Sequence, residues 1–263
     1  MASSQLLPGP HPSSASASGP IDSARETSLA LQRVALLYQA MPAALIAGLG
    51  CAVALIFVNW NILPHDRLLA WLAYHLLLSI GRYGLARSFT RTSPTQATIR
   101  WWDRAFLTGT LLAGLGWGAT ALILFSESSP SQQVFLAFVL AGVCAGASST
   151  LAARFDAFLS FSVPTLAPLI LRFFLLNHEQ ALPMAMCTLL FSLLMVYTAY
   201  RTSNNVLETL QLKYHNAQLV DQLSSQLEEG EQTALLLNVH TEHYRFIMEY
   251  AQDIIYRTDR SGR

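Results

Sequence analysis

Few side chains in this chain could do chemistry, and most of them lie in apolar surroundings. His75 falls within Leu68–Ala86, a stretch apolar enough to enter lipid, where an imidazole can bind a ligand, ligate haem or respond to protons near neutral pH. The ordinary role of such a residue, an interhelical hydrogen bond, outweighs these. Haem would need a second axial ligand at matching depth, and no other apolar stretch contains a histidine. Trp117, between Gly116 and Gly118, can fill a pocket or simply pack a neighbour. Pro164 and Pro168 remove two backbone donors from one stretch, so a kinked helix there can line a cavity, with the freed carbonyls turning to Ser160 or water. Local packing is the commoner role of membrane prolines. His75, Trp117, Pro164 and Pro168 are therefore the candidate signal-sensing residues.

The remaining charged and aromatic residues have plainer expected roles. Arg172 is close enough to a span end for its side chain to snorkel to the surface. Arg154 and Asp156, on either side of Phe155, can brace two helix ends or anchor one at the interface. Trp101 and Trp102 fit an aromatic belt beside Arg100 and Arg104. His240 and His243 have metal-ligand spacing but no Cys or further His beside them, and Cys51, Cys144 and Cys187 show neither zinc nor disulfide spacing. No metal or cofactor is expected.

The elements that must hold these residues are membrane helices. With 52% apolar and 12% charged residues, the chain is far from the roughly 25% charged of soluble proteins. Runs approaching the ~20 apolar residues needed to cross a bilayer occur at Met41–Ile62, Leu68–Ala86, Ala105–Phe125, Gln133–Ala153, Ala157–Leu176 and Ala181–Tyr200. Gly114 with Gly118 and Gly142 with Gly146 have the small-xxx-small spacing that lets helices approach closely, which predicts a tight pairing of spans three and four. Arg25, Arg33, Arg82, Arg87, Arg91, Arg100, Arg104, Arg154, Arg201 and Lys213 fall on one side of the six spans, and chiefly Arg67 and Arg172 on the other. The basic side should be cytoplasmic, which places both termini in the cytosol. Sixteen basic residues balance sixteen acidic ones, leaving no surplus to attract nucleic acid.

Outside the spans the composition changes. Residues 1–30 form a Ser-, Ala-, Pro- and Gly-rich leader expected to be disordered, and 31–200 form the membrane block. From 201 to 240 the chain is polar yet rich in helix formers. Leu212, Asn216, Leu219 and Leu223 recur at coiled-coil spacing there, with Asn216 placed to fix the register of a homodimer. A shifted seam through Val206, Leu210, Ala217, Val220 and Leu227 competes with it. Residues 241–263 read as a short helix, a β-prone run at Ile254–Tyr256 and a turn at Asp259–Gly262.

That last segment, with Asp253-Ile254-Ile255-Tyr256 followed by Thr258-Asp259-x-x-Gly262-Arg263, resembles the opening of a PAS domain. The whole layout is similar to the sensory half of bacterial membrane signalling proteins, the PAS-containing sensor histidine kinases and the diguanylate cyclases or phosphodiesterases. The fold class expected is all-α: a six-helix transmembrane bundle, a cytoplasmic signalling helix or coiled coil, and an incomplete α+β PAS start. The resemblance implies a dimeric receptor in the inner membrane that relays a small-molecule or membrane signal to a C-terminal enzyme, of which this chain would be an N-terminal fragment. The chain has no ATP-binding glycine box, phosphoacceptor motif or cyclase signature, so no catalytic module is expected within it. A transporter or channel is the alternative, weakened by the tail and by the lack of an internal repeat.

Overall fold

The computed structural model describes residues 20–92, 98–127, 129–176 and 179–260, with side chains from 30 to 248. They form α1 (Pro20–Asn59), α2 (His65–Thr92), α3 (Ile99–Gly118), the short α4 (Thr120–Ile123), α5 (Pro130–Thr150), α6 (Phe155–Leu175) and α7 (Ala181–Arg260). Six helices are long and apolar enough to cross a membrane, α3 and α4 together supplying one of them. An all-helical solution follows from the composition, because a helix pairs its own backbone N–H and C=O groups and leaves none facing lipid. The exterior fits the same environment: Phe57 and Phe138 remain 83% and 75% exposed.

The described residues divide into two units at Leu207 and Glu208. In the first, α1 packs on α2 and α5, α5 on α6, α6 on α3 and α3 on α2, which closes a ring of five helices. The successive spans run up and down, so the starts of α1, α3 and α6 share one end with the close of α2 and α5. At the other end, Gln132 on α5 donates to Asn59 Oδ1 and to the Leu124 carbonyl at 2.8 Å, while Asn59 donates back to Leu55 O at 2.8 Å. Gln132 thereby occupies the carbonyl at the C-terminal cap of α4, where a helix leaves acceptors unpaired. The sixth span buries Ala181, Ala185, Thr188, Ala199 and Ser203 along one face, and its Tyr200 ring meets Phe155 edge-on at 5.5 Å.

The second unit is the remainder of α7. Its side chains from 215 to 248 are exposed, including Asn216, Leu219 and Leu223, and Leu212 is exposed as well. Helix continues through Gly230 and through Ile254–Tyr256, the run expected to form the first PAS strand. A strand requires a neighbour for its backbone donors and acceptors, and no strand occurs among the described residues, whereas a helix satisfies them within itself. Ser261 and Gly262 of the expected turn lie outside the described residues. So do residues 1–19 of the leader, and α1 already covers the part from Pro20 onward.

Candidate functional site in the helical ring

The ring forms a partly open cavity of about 340 Å³. Its wall follows from helical spacing. His75, Ser79 and Arg82 on α2, and Thr110, Ala113 and Trp117 on α3, are separated by three and four residues, so each trio lies on one face of its helix. Opposite them, Ala43 and Ala47 on α1 and Gly142 and Gly146 on α5 are four apart. Small side chains on these two helices leave the space that larger ones on α2 and α3 would otherwise fill.

The aromatic side of the wall is closely built. The His75 ring is 4.4 Å from Trp71, 4.9 Å from Trp117 and 5.5 Å from Tyr74. Trp71 Nε1 donates to Gly116 O at 2.9 Å and Tyr74 Oη to Leu112 O at 2.8 Å, tying α2 to α3 at two levels. Gly116 makes this possible, since a Cβ there would come 3.1 Å from His75 Nε2 and closer still to Tyr74. His75 Nε2 is buried against Gly116 of α3, where no hydrogen bond of ordinary geometry is formed.

The glycine pairs divide between two roles. Gly114 and Gly118 face α6 rather than α5: a Cβ on Gly114 would lie 2.5 Å from Phe161 O, and one on Gly118 would collide with Pro164 O. Gly116, two residues from each, is turned about 200° away toward α2, as 3.6 residues per turn requires. Gly142 and Gly146 have nothing within 4 Å of the point a Cβ would occupy, and both border the cavity. The tight seam of α3 is therefore with α6, span five, in place of the expected pairing of spans three and four. Its reason is chemical as well as steric. Pro168 has no N–H to offer the Pro164 carbonyl four residues earlier, and Gly118 lets a Cα–H approach that acceptor. Thr165 Oγ1 donates chiefly to Phe161 O of its own helix at 2.7 Å and shares that hydrogen with Gly114 O at 3.3 Å. Ser160, expected to serve a freed carbonyl, donates instead to Asp156 O at 2.8 Å.

Of the four candidate sensing residues, His75 and Trp117 line the cavity, while Pro164 and Pro168 lie on the α3–α6 seam behind it. Comparison with protein-family models, with curated proteins and with solved structures gives no match to the chain. The site must be read from its own chemistry.

Sequence reasoning missed Arg82, which it counted among the basic residues of the second connection. The structure turns it inward: its stem lies over Gly109 of α3, its Nη2 is 3.4 Å from Thr110 Oγ1, and its Nε is buried without a partner. The signal available was its place inside Leu68–Ala86, four residues before the span's end and seven after His75.

Ion pairs elsewhere hold helix ends. Arg154 at the start of α6 binds Asp156 beside it and Asp103 on α3, which is the helix-bracing role, and these bonds raise its pKa further, Asp156 contributing most. Removing the guanidinium in Arg154→Ala is expected to cost about 1–2 kcal/mol, between the values for exposed and buried pairs. Arg172 pairs with Glu127 at 3.0 Å in a more exposed setting, and Arg172→Ala should cost less than about 1 kcal/mol. Thermal unfolding of the two variants in detergent checks the order. Among the described residues, no group of three or more His, Cys, Asp or Glu side chains could hold a metal.

Proposed function

We propose that the chain is the membrane-embedded input module of a signalling receptor, in which the ring cavity takes up the signal and α7 carries the response. The observation that carries this reading is the composition of α7: one helix contains both the sixth span and, farther on, the exposed Leu212, Asn216, Leu219 and Leu223 at coiled-coil spacing. An apolar row on a helix in water is covered most simply by its copy on a second chain, with paired Asn216 amides fixing the register. The basic end of the bundle, by the charge rule, faces the cytosol and delivers α7 there. The residue pattern of His243–Arg263, though helical where a PAS strand is expected, is the ground for reading the next step as a relay to a PAS domain and then to a histidine kinase, or next a cyclase or phosphodiesterase. The competing reading is a small-molecule transporter, which the intramembrane cavity also favours.

Single cysteines in a background lacking Cys51, Cys144 and Cys187 test the dimer in native membranes. Crosslinking should be strongest at Leu212 and Leu219 and weak at Gln218 and Asp221. Equal crosslinking at all four positions removes the coiled coil. Uptake of a cavity ligand into sealed vesicles would decide for transport.

A further inference from the structure

We infer that the ring cavity binds a single-chain amphiphile with an anionic headgroup, held by Arg82 and His75 at one side with its apolar tail against the small residues of α1 and α5. Three observations converge on this chemistry. First, Arg82 turns its guanidinium inward from a membrane span with no charged partner, which disfavours the charge unless an anion meets it. Its bond to Thr110 Oγ1 is long and neutral, and its Nε has none. Second, no carboxylate among the described residues lines the cavity, and Asp103 on the facing helix is held by Arg154. An anion is therefore the missing partner, and a guanidinium binds carboxylate or phosphate through two parallel N–H donors. His75 Nε2, also buried and unpartnered on the same face of α2, is a further group able to hydrogen-bond an anionic head. Third, Gly142 and Gly146 leave open space where a Cβ would be, beside Ala43 and Ala47, and the Ser149 and Thr150 hydroxyls on that wall are spent on carbonyls of their own helix. The volume, about 340 Å³, suits one medium chain.

This inference rests on the proposed input role only in the choice of cavity, and direct binding tests it separately. The purified full chain in phosphatidylcholine nanodiscs is titrated with terminally brominated decanoate, and the part of the tryptophan quenching that Trp117→Phe removes is followed with competition by plain decanoate. Binding should be saturable, displaced by decanoate, and at least about tenfold tighter for the acid than for the brominated alcohol of the same length, as expected for one charge-assisted bidentate bond. Arg82→Gln should bring the acid down to the affinity of the alcohol, Arg82→Lys should keep part of the preference, and Gly146→Leu should block both ligands. Equal affinity of acid and alcohol in the unmodified chain, or a preference that survives Arg82→Gln, overturns the proposal. Should Arg82→Gln fail to fold, the acid–alcohol comparison in the unmodified chain still decides. Saturable binding of the acid that leaves crosslinking at Leu212 unchanged would uphold the site and remove the signalling role instead.

Discussion

Gly118→Ala is expected to destabilise the bundle by about 3 kcal/mol, the upper part of the usual range for overpacking, whereas Gly146→Ala should leave it unchanged or stabilise it by about 0.5–1 kcal/mol. Both are glycines in span interiors with a second glycine four residues away, and sequence alone does not separate them. The difference lies in what a methyl group meets. At Gly118 it meets the backbone carbonyl of Pro164, which cannot rotate aside, so α3 and α6 must move apart along their whole seam. That movement also lengthens the Thr165–Gly114 bond and takes the Gly114 Cα away from Phe161 O. At Gly146 the methyl enters open space and the helix gains the propensity of alanine. Unfolding in detergent, followed by the thiol reactivity of the buried Cys144, reads both variants. Gly118→Ala melting with the unmodified protein would remove the α3–α6 seam as an organising contact, and a matching loss in Gly146→Ala would mean that α5 packs more closely than its surroundings indicate.

The legible and illegible parts of this molecule separate along physical lines. Six spans could be read from run length, because lipid forces every spanning segment to be long, apolar and helical. Which helix touches which could not be read. The spacing of Gly114 and Gly118 identifies a face that wants a close neighbour, but the choice of α6 depends on the carbonyl that Pro168 leaves free, and that requires both helices in view. The neighbouring Trp101 and Trp102 show the same limit: Trp101 is 59% exposed, as an interfacial residue should be, while Trp102 is 7% exposed and part of the core. Arg82 was legible as a charge yet not as a buried one, since the inward face of α2 is defined only by its neighbours. His75 and Trp117, which line the cavity, stand out in the sequence because a titratable ring in an apolar run and a bulky ring between glycines are unusual in themselves. In the tail, the β-prone run Ile254–Tyr256 forms helix because β-propensity expresses packing on a sheet, and no second strand is present among the described residues to provide one.

Tyr38→Ala is expected to lower stability by about 3–4 kcal/mol, as large-to-small changes at a packed aromatic site do, while Tyr38→Phe should cost no more than about 1 kcal/mol. Tyr38 is a fully buried α1 side chain at which three helices meet. Its ring stacks on Phe89 of α2 with centroids 4.2 Å apart, and it meets Phe106 and Trp102 of α3 edge-on at 5.4 Å and 5.9 Å. The hydroxyl donates to Trp102 O at 2.9 Å. Removing the ring deprives all three neighbours of contacts at once, and in lipid it is packing of this kind that holds helices together. Removing only the hydroxyl leaves those contacts intact, and interhelical hydrogen bonds in membranes contribute on average less than about 1 kcal/mol. The two substitutions thus separate packing from hydrogen bonding at one position. A loss in Tyr38→Phe equal to that in Tyr38→Ala would show that the bond to Trp102 O, rather than the aromatic cluster, fastens α1 to α3, and Trp102→Leu, which keeps the carbonyl and removes the ring, would then be nearly neutral.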